Sequence, residues 1–434
     1  MSAAGPAADG ALRRDIGLVG SAFLAFNGLV GAGIFVLPGT LAERFGAFSP
    51  LAFPLFGLLA LLIALPFARI ASHHPLSGGP VVYAASFGPF VAFQAGWLYY
   101  VARATALAAN LNVLVAYAAG LWPLLGTGPA RAALILMVIA LVCAVNVAGV
   151  RRAVRLVDAM TLLKAAPLVM LAVAALVMAA PALGPSGLAL PAFALPPVPP
   201  LTELNAAALL TLYAFVGFEN SVVAAGETRR PADTLPRALI GTVVLTALVY
   251  TLIQAAYLAV MGAAPAGAAG GDAPMIAFGR AVWGDAGALL LTIAAIASVT
   301  GNVAAGVTGS ARTTYAMGRD GLLPRWFAAT DARFATPARS IWFMGAFIAA
   351  LALTGGFAWL AVASVLARMI IYALSIAALP RAEPGRAGIW AMTLAGLATC
   401  VWVAAQSGAG SWQVLAVLGG AGVVLYLAAR RERR

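Results

Sequence analysis

The sequence predicts an all-α membrane protein of about twelve transmembrane helices. Of its 434 residues, 63% are hydrophobic and 9% charged, with a mean hydropathy of +0.98, whereas soluble domains are about 45 to 50% apolar and about 25% charged. The few charges fall between apolar runs long enough for the roughly 20 residues that a helical span needs. These runs lack the alternation of barrel strands, and unpaired backbone in hydrocarbon is costly, so helices are expected.

In chain order the spans read as Ile16 to Leu37, Ser49 to Ile70, Pro89 to Ala119, Ala132 to Val150, Val157 to Ala180 and Glu203 to Ala225. They continue as Leu235 to Met261, Trp283 to Met317, Ile341 to Thr354, Trp359 to Leu379, Gly388 to Gln406 and Trp412 to Ala429. The third and eighth exceed one bilayer thickness, so each must tilt or run on into water. Residues 1–15 read as a cytoplasmic tail and residues 431–434 as a basic one. Cys143 and Cys400 lie inside apolar runs and read as small hydrophobes. No disulfide, metal site or cofactor is expected.

The arginines test this map. The net charge of +12 could suggest nucleic acid, but 20 of the 26 basic residues fall at junctions on one side, and only Arg44, Arg131 and Arg280 on the other. The positive-inside rule then places both termini in the cytoplasm, with an even number of spans in a cytoplasmic (inner) membrane and no nucleic-acid partner. Arg103, Lys164 and Arg368 remain, all within spans.

Residues 181–202 hold Pro196-Pro197-Val198-Pro199-Pro200 and no Lys or Arg. Such a stretch cannot continue a helix and acts as a spacer. It reads as an extracytoplasmic seam between two five-span halves, residues 16–180 and 203–380, with two further spans in residues 381–430. The first span of each half carries glycine near its middle: Phe26-Asn27-Gly28-Leu29-Val30-Gly31-Ala32-Gly33-Ile34-Phe35 and Tyr213-Ala214-Phe215-Val216-Gly217-Phe218-Glu219-Asn220. Matched interruptions of this kind point to a midplane substrate site, where half-helix ends favour a carboxylate on one side and a cation on the other. An amino acid carries both.

At these residues the chain resembles the amino acid-polyamine-organocation transporters along almost its whole length. Gly31-Ala32-Gly33-Ile34-Phe35 is similar to the family's first-span signature, and Phe215-Val216-Gly217-Phe218-Glu219 with Ala225-Gly226-Glu227-Thr228-Arg229-Arg230-Pro231 to its sixth-span signature and exit. Ser77-Gly78-Gly79-Pro80-Val81-Val82-Tyr83 and Ala316-Met317-Gly318-Arg319-Asp320-Gly321-Leu322-Leu323-Pro324 resemble the loops after spans two and eight. The resemblance implies a LeuT-type arrangement: spans one to five and six to ten as inverted repeats, spans one and six discontinuous, and two peripheral C-terminal spans.

Charges inside spans are expensive and therefore functional candidates. Glu219, at the second break, could take a proton, hold the unwound backbone or pair with a cation. In sodium-independent relatives an amine on span five resembles Lys164 and occupies the region of the sodium site. Lys164 could instead snorkel to the surface. Arg103 could constrain Glu219, bind an anionic substrate group or face an aqueous vestibule. Arg368 resembles a basic position of span ten and reads as a gate or ion-pair partner. Tyr213 matches an aromatic gate of the arginine/agmatine exchanger branch, and Phe215 and Phe218 flank the break. His73 and His74 read as solvated loop residues.

The expected substrate contacts are Leu29, Gly31, Ala32, Gly33, Ile34, Ala102, Arg103, Leu107, Tyr213, Ala214, Phe215 and Gly217, with coupling or gating by Lys164, Glu219, Phe218 and Arg368. The expected function is secondary transport of an amino acid, neutral for preference, by alternating access without sodium and with protons. The carrier would work in the lipid bilayer as a monomer or homodimer. An exchanger, an exporter and a non-transporting nutrient sensor of the same fold remain alternatives. No nucleophile with its base, metal cluster or nucleotide loop supports an enzyme.

Overall fold

The computed structural model describes residues 15–74, 79–149, 166–178, 196–223, 225–262 and 273–433. Lys164 and residues 181–195 of the proline-rich linker lie outside the described residues.

Apolar composition becomes helix throughout. The first half holds α1 (Leu18–Leu29), α2 (Gly33–Phe45), α3 (Ser49–His73), the short α4 (Pro80–Ala84), α5 (Pro89–Leu121), α6 (Gly128–Val147) and α7 (Ala166–Met178). The second holds α8 (Leu201–Tyr213), the short α9 (Asn220–Val223), α10 (Pro231–Met261), α11 (Pro274–Arg319), α12 (Ala338–Thr354) and α13 (Phe357–Ala377). The short α14 (Leu379–Ala382), α15 (Ala387–Ala405) and α16 (Ala409–Arg433) follow. Among the described residues eight helical stretches are long and apolar enough to cross a membrane, while α1, α7 and α12 are shorter apolar helices.

Two of the expected spans, the first and the sixth, are divided, the sixth between α8 and α9. The first span breaks at Val30, Gly31 and Ala32, and its second piece runs on to Phe45. α11 also bends at Trp283 and Gly284, where the expected eighth span begins, and Gly284 has φ 62°. A Cβ at Gly279 or Gly287 would strike the other's backbone, so the small residues on either side of this bend let the two pieces pack closely.

The helices before residue 180 pack on those after it: α1 and α2 against α9 and α8, α3 against α10, α5 against α11, and α6 against α12. α5 runs through the centre, burying Trp97, Tyr100, Leu107 and Tyr117. α15 and α16 lie outside, with Trp390, Leu394, Val401, Val417 and Val424 exposed as on a lipid-facing surface. The Trp97 indole fastens α16 by donating to the Leu418 carbonyl at 2.7 Å.

Polar ties close both ends of the bundle. At the arginine-rich end Glu383 accepts from Arg69 Nε and Nη2 at 2.5 and 2.9 Å, meets His73 Nε2 at 2.5 Å and accepts from Arg386 Nη1 at 3.3 Å. The Arg69 guanidinium, aided by His73, holds the Glu383 carboxyl down at about 2. His73, the last residue of α3 and 38% exposed, thus bonds to Glu383 while it still faces solvent. Ile16 forms a parallel bridge with Thr228: its N–H donates to the Glu227 carbonyl at 3.0 Å and its carbonyl accepts from Arg229 N–H at 2.8 Å. At the opposite end Arg131 Nη2 donates to Asn112 Oδ1 (2.5 Å) and to the Ala352 carbonyl (3.0 Å), and Asn112 Nδ2 donates to the Gly355 carbonyl (3.0 Å). These bonds satisfy the C-terminus of α12, whose last carbonyls have no partner within the helix.

Candidate functional site

Each broken span leaves backbone groups that must find other partners. At the end of α1 the Leu29 carbonyl accepts from Tyr250 OH at 3.0 Å and the Asn27 carbonyl from Asn302 Nδ2 at 3.3 Å. α2 then restarts with no side-chain cap at Ala32. The N–H groups of a helix's first turn have no intrahelical acceptor, so Gly33 and its neighbours offer donors at the positive end of the helix dipole.

The second break runs from Ala214 to Glu219, between α8 and α9. Gly217 has φ +117°, a region that side chains disfavour. It lies against Gly28: a Cβ on Gly28 would strike the Gly217 carbonyl, and one on Gly217 would strike the Gly28 carbonyl. The two breaks therefore meet backbone to backbone.

Glu219 fixes this turn. Its Oε2 accepts from Gly217 N–H at 2.9 Å and from Tyr372 OH at 2.6 Å, and its Oε1 accepts from Arg368 Nε at 3.1 Å. The Arg368 and Glu219 side chains are 3% and 0% exposed. Arg368 Nη1 also donates to Ser364 Oγ and, at 3.4 Å, to the Ala102 carbonyl, which accepts from Ser364 Oγ at 2.8 Å. This network joins the second break to α13 and α5. Arg103 makes no hydrogen bond to Glu219, one of the roles open to it. Its Nη1 donates to the neighbouring Asn220 Oδ1 at 2.7 Å, because Arg368 already fills the place beside the carboxylate.

Between the breaks lies a cavity of about 20 Å³. That is near the least that holds one water. Its walls include Leu29, Gly31, Gly33, Arg103, Leu107, Tyr213 and Arg368 from the residues the sequence singled out. Tyr213 OH donates to Asn110 Oδ1 at 2.9 Å, and its ring meets Phe357 edge-on.

Other expected contacts lie behind this wall. Ala32 and Ile34 are buried in the core, Ala214 backs Gly33, and Ala102 serves through its carbonyl. Phe215 packs on Phe53 and Tyr250, Phe218 stacks on Tyr372, and Gly217 faces Gly28. These three residues pack elsewhere although Val216, between them in sequence, lines the cavity. The wall also contains Gly28, Ala106, Asn110, Val216 and Asn302, which the sequence reading missed. Asn110 and Asn302 carried a usable signal: a carboxamide in an apolar span needs partners for the same reason that a charge does.

Comparison with known proteins agrees with this architecture. The chain is 31% identical over 422 residues, 96% of its length and 91% of the relative's, to an uncharacterized transporter of Mycobacterium tuberculosis. It is 26% identical over 361 residues to the branched-chain amino acid permease BcaP of Bacillus subtilis, covering 78% and 74% of the two chains. The methylthioribose transporter of the same organism is 26% identical over 363 residues, with 79% and 75% covered. A model of the amino acid permease family matches residues 16–425. The chain therefore belongs to the amino acid permeases of the amino acid-polyamine-organocation superfamily, multi-pass membrane transporters rather than enzymes.

Proposed function

We propose that the chain carries a small neutral amino acid across the cytoplasmic membrane by alternating access, without sodium and with protons. The observation that carries this reading is the contact of Gly28 with Gly217, which sets both helix breaks against one cavity. In that cavity the uncapped start of α2 and the Arg103 guanidinium favour a carboxylate. Asn110, in the cavity wall, is an acceptor for an ammonium group. The apolar Leu29, Leu107 and Val216 take an uncharged side chain, and Arg103 repels a cationic one.

The packing of four spans of the first half on four of the second supports twelve spans arranged as two inverted five-span repeats with a peripheral pair. Both termini would then be cytoplasmic. Glu219 acts as a gate: held by Arg368, Tyr372 and its own turn, it keeps the second break shaped while the bundle rocks. Independence from sodium rests on Lys164 of span five. The resemblance to the branched-chain amino acid permease supports an amino acid as substrate, whereas the charged groups around the cavity argue against an uncharged thiosugar.

The test is reconstitution in liposomes with labelled amino acids, varying the sodium and proton gradients independently. Saturable uptake of a neutral amino acid, driven by protons and indifferent to sodium, is the expected result. No saturable flux of any amino acid would overturn the carrier reading, and flux of methylthioribose alone would overturn the substrate.

A further inference from the structure

A second concavity lies on the outer surface, away from the substrate cavity. α1 and α10 touch along its floor, where Thr242 Oγ1 donates to the Ala22 carbonyl at 3.4 Å. The floor is built of small residues, Ala22, Ala238 and Gly241, and the lips of large ones, Val19, Phe23 and Leu245. Those lips are 68%, 60% and 51% exposed. The result is an apolar groove of about 500 Å³. It runs from Leu18 to Phe26 on one wall and from Arg237 to Leu245 on the other, about 12 Å at 1.5 Å per residue.

One end of the groove is charged. Arg237 closes it and also lines an adjoining polar hollow with Arg229, Arg230, Asp233 and Thr234. Arg229 is shared with Asp15 at 3.8 Å, and the Thr234 hydroxyl donates to the Arg229 carbonyl at 2.6 Å. Among the described residues Arg230 and Arg237 make no ion pair. Arg230 is held in the left-handed region, φ 43°, at the start of α10.

We propose that this groove is a binding site for an anionic phospholipid, with one acyl chain between α1 and α10 and the phosphate on Arg230 and Arg237. Length and direction fit one lipid: the apolar channel follows the helix axes inward from the basic end, where a headgroup would lie. Neither a free anion nor a polar metabolite has use for twelve ångströms of hydrocarbon wall. The occupant would contact α1 two residues before Gly28, so it would brace the helix whose break forms the substrate cavity.

The test uses the full chain, delipidated in detergent and re-equilibrated with phosphatidylglycerol or phosphatidylcholine. Lipid retention is read by native mass spectrometry and thermal stability in parallel. Phosphatidylglycerol should be retained and raise Tm, and phosphatidylcholine should do neither. Gly241→Leu should abolish both effects by filling the floor. A Cβ there meets nothing within 4 Å, so the lipid-free Tm should stay at the wild-type value. Arg230→Gln and Arg237→Gln should each weaken retention about fivefold, as expected for one basic residue at an anionic surface. They also serve as the test should the Gly241 variant not fold. Equal retention of both lipids, retention unchanged in all three variants, or equal protection by free inorganic phosphate would each overturn the proposal.

Discussion

Arg368 and Glu219 meet at 3.1 Å with both side chains shut away from solvent, joining the tenth predicted span to the break in the sixth. Removing one partner of a buried pair leaves an uncompensated charge and costs about 3 to 5 kcal/mol. Arg368→Met should therefore lower Tm and abolish uptake, and Glu219→Gln should relieve part of the stability loss when combined with it. Wild-type Tm in the single Arg368 variant would show that the pair does not hold the fold.

Gly28 and Gly217 each occupy the room that a side chain on the other would need. Gly28→Ala and Gly217→Ala should both abolish uptake, the second adding roughly 1 to 3 kcal/mol of backbone strain. Gly388→Ala on α15, where a Cβ meets nothing, should transport normally. Cell-surface abundance measured alongside uptake separates a blocked site from a lost protein.

Arg103 lines the cavity and bonds to Asn220. Arg103→Ala should raise KM for a neutral amino acid about tenfold or more, each decade corresponding to about 1.4 kcal/mol. It should also let lysine compete where the parent excludes it. Competition assays with unlabelled leucine, glutamate and lysine measure the change, and an unaltered inhibition pattern would remove Arg103 from selectivity.

Glu383 titrates at about 2, below the ordinary carboxyl value of 4.5. Its contribution to stability is complete above that ordinary value and fades as pH falls towards about 2. Tm should therefore show no transition from this group near neutral pH. Glu383→Gln should lower Tm by a constant amount there and by less in strong acid. A neutral-pH transition that disappears in this variant would contradict the assignment.

Lys164→Met should change the pH dependence of uptake while leaving it insensitive to sodium. Uptake by the variant that follows the parent at every pH would remove the lysine from coupling.

Much of this structure was legible in the residues. Apolar runs of span length had no stable alternative to helix, so their positions followed from the bilayer alone. The glycine clusters around Gly31 and Gly217 located both breaks because no other residue tolerates such close approach. Partnerships were harder to see. Glu219 could have been matched with either arginine, and only the packing of α13 beside α5 gives it to Arg368 and leaves Arg103 to Asn220. Phe215 and Phe218 stand beside a wall residue in sequence, yet they pack elsewhere. Asn110 and Asn302 escaped notice because carboxamides carry no formal charge, although burial makes similar demands of them.

The Ile16–Thr228 bridge gives the Gly28–Gly217 contact a mechanical meaning. The first broken helix is fastened to the sixth-span segment at two places, roughly 20 Å apart along α1. One fastening would leave a pivot, whereas two remove it. The two interrupted spans are therefore expected to move as a single lever. A probe pair placed across them should keep its separation through the transport cycle while distances from either to α5 change.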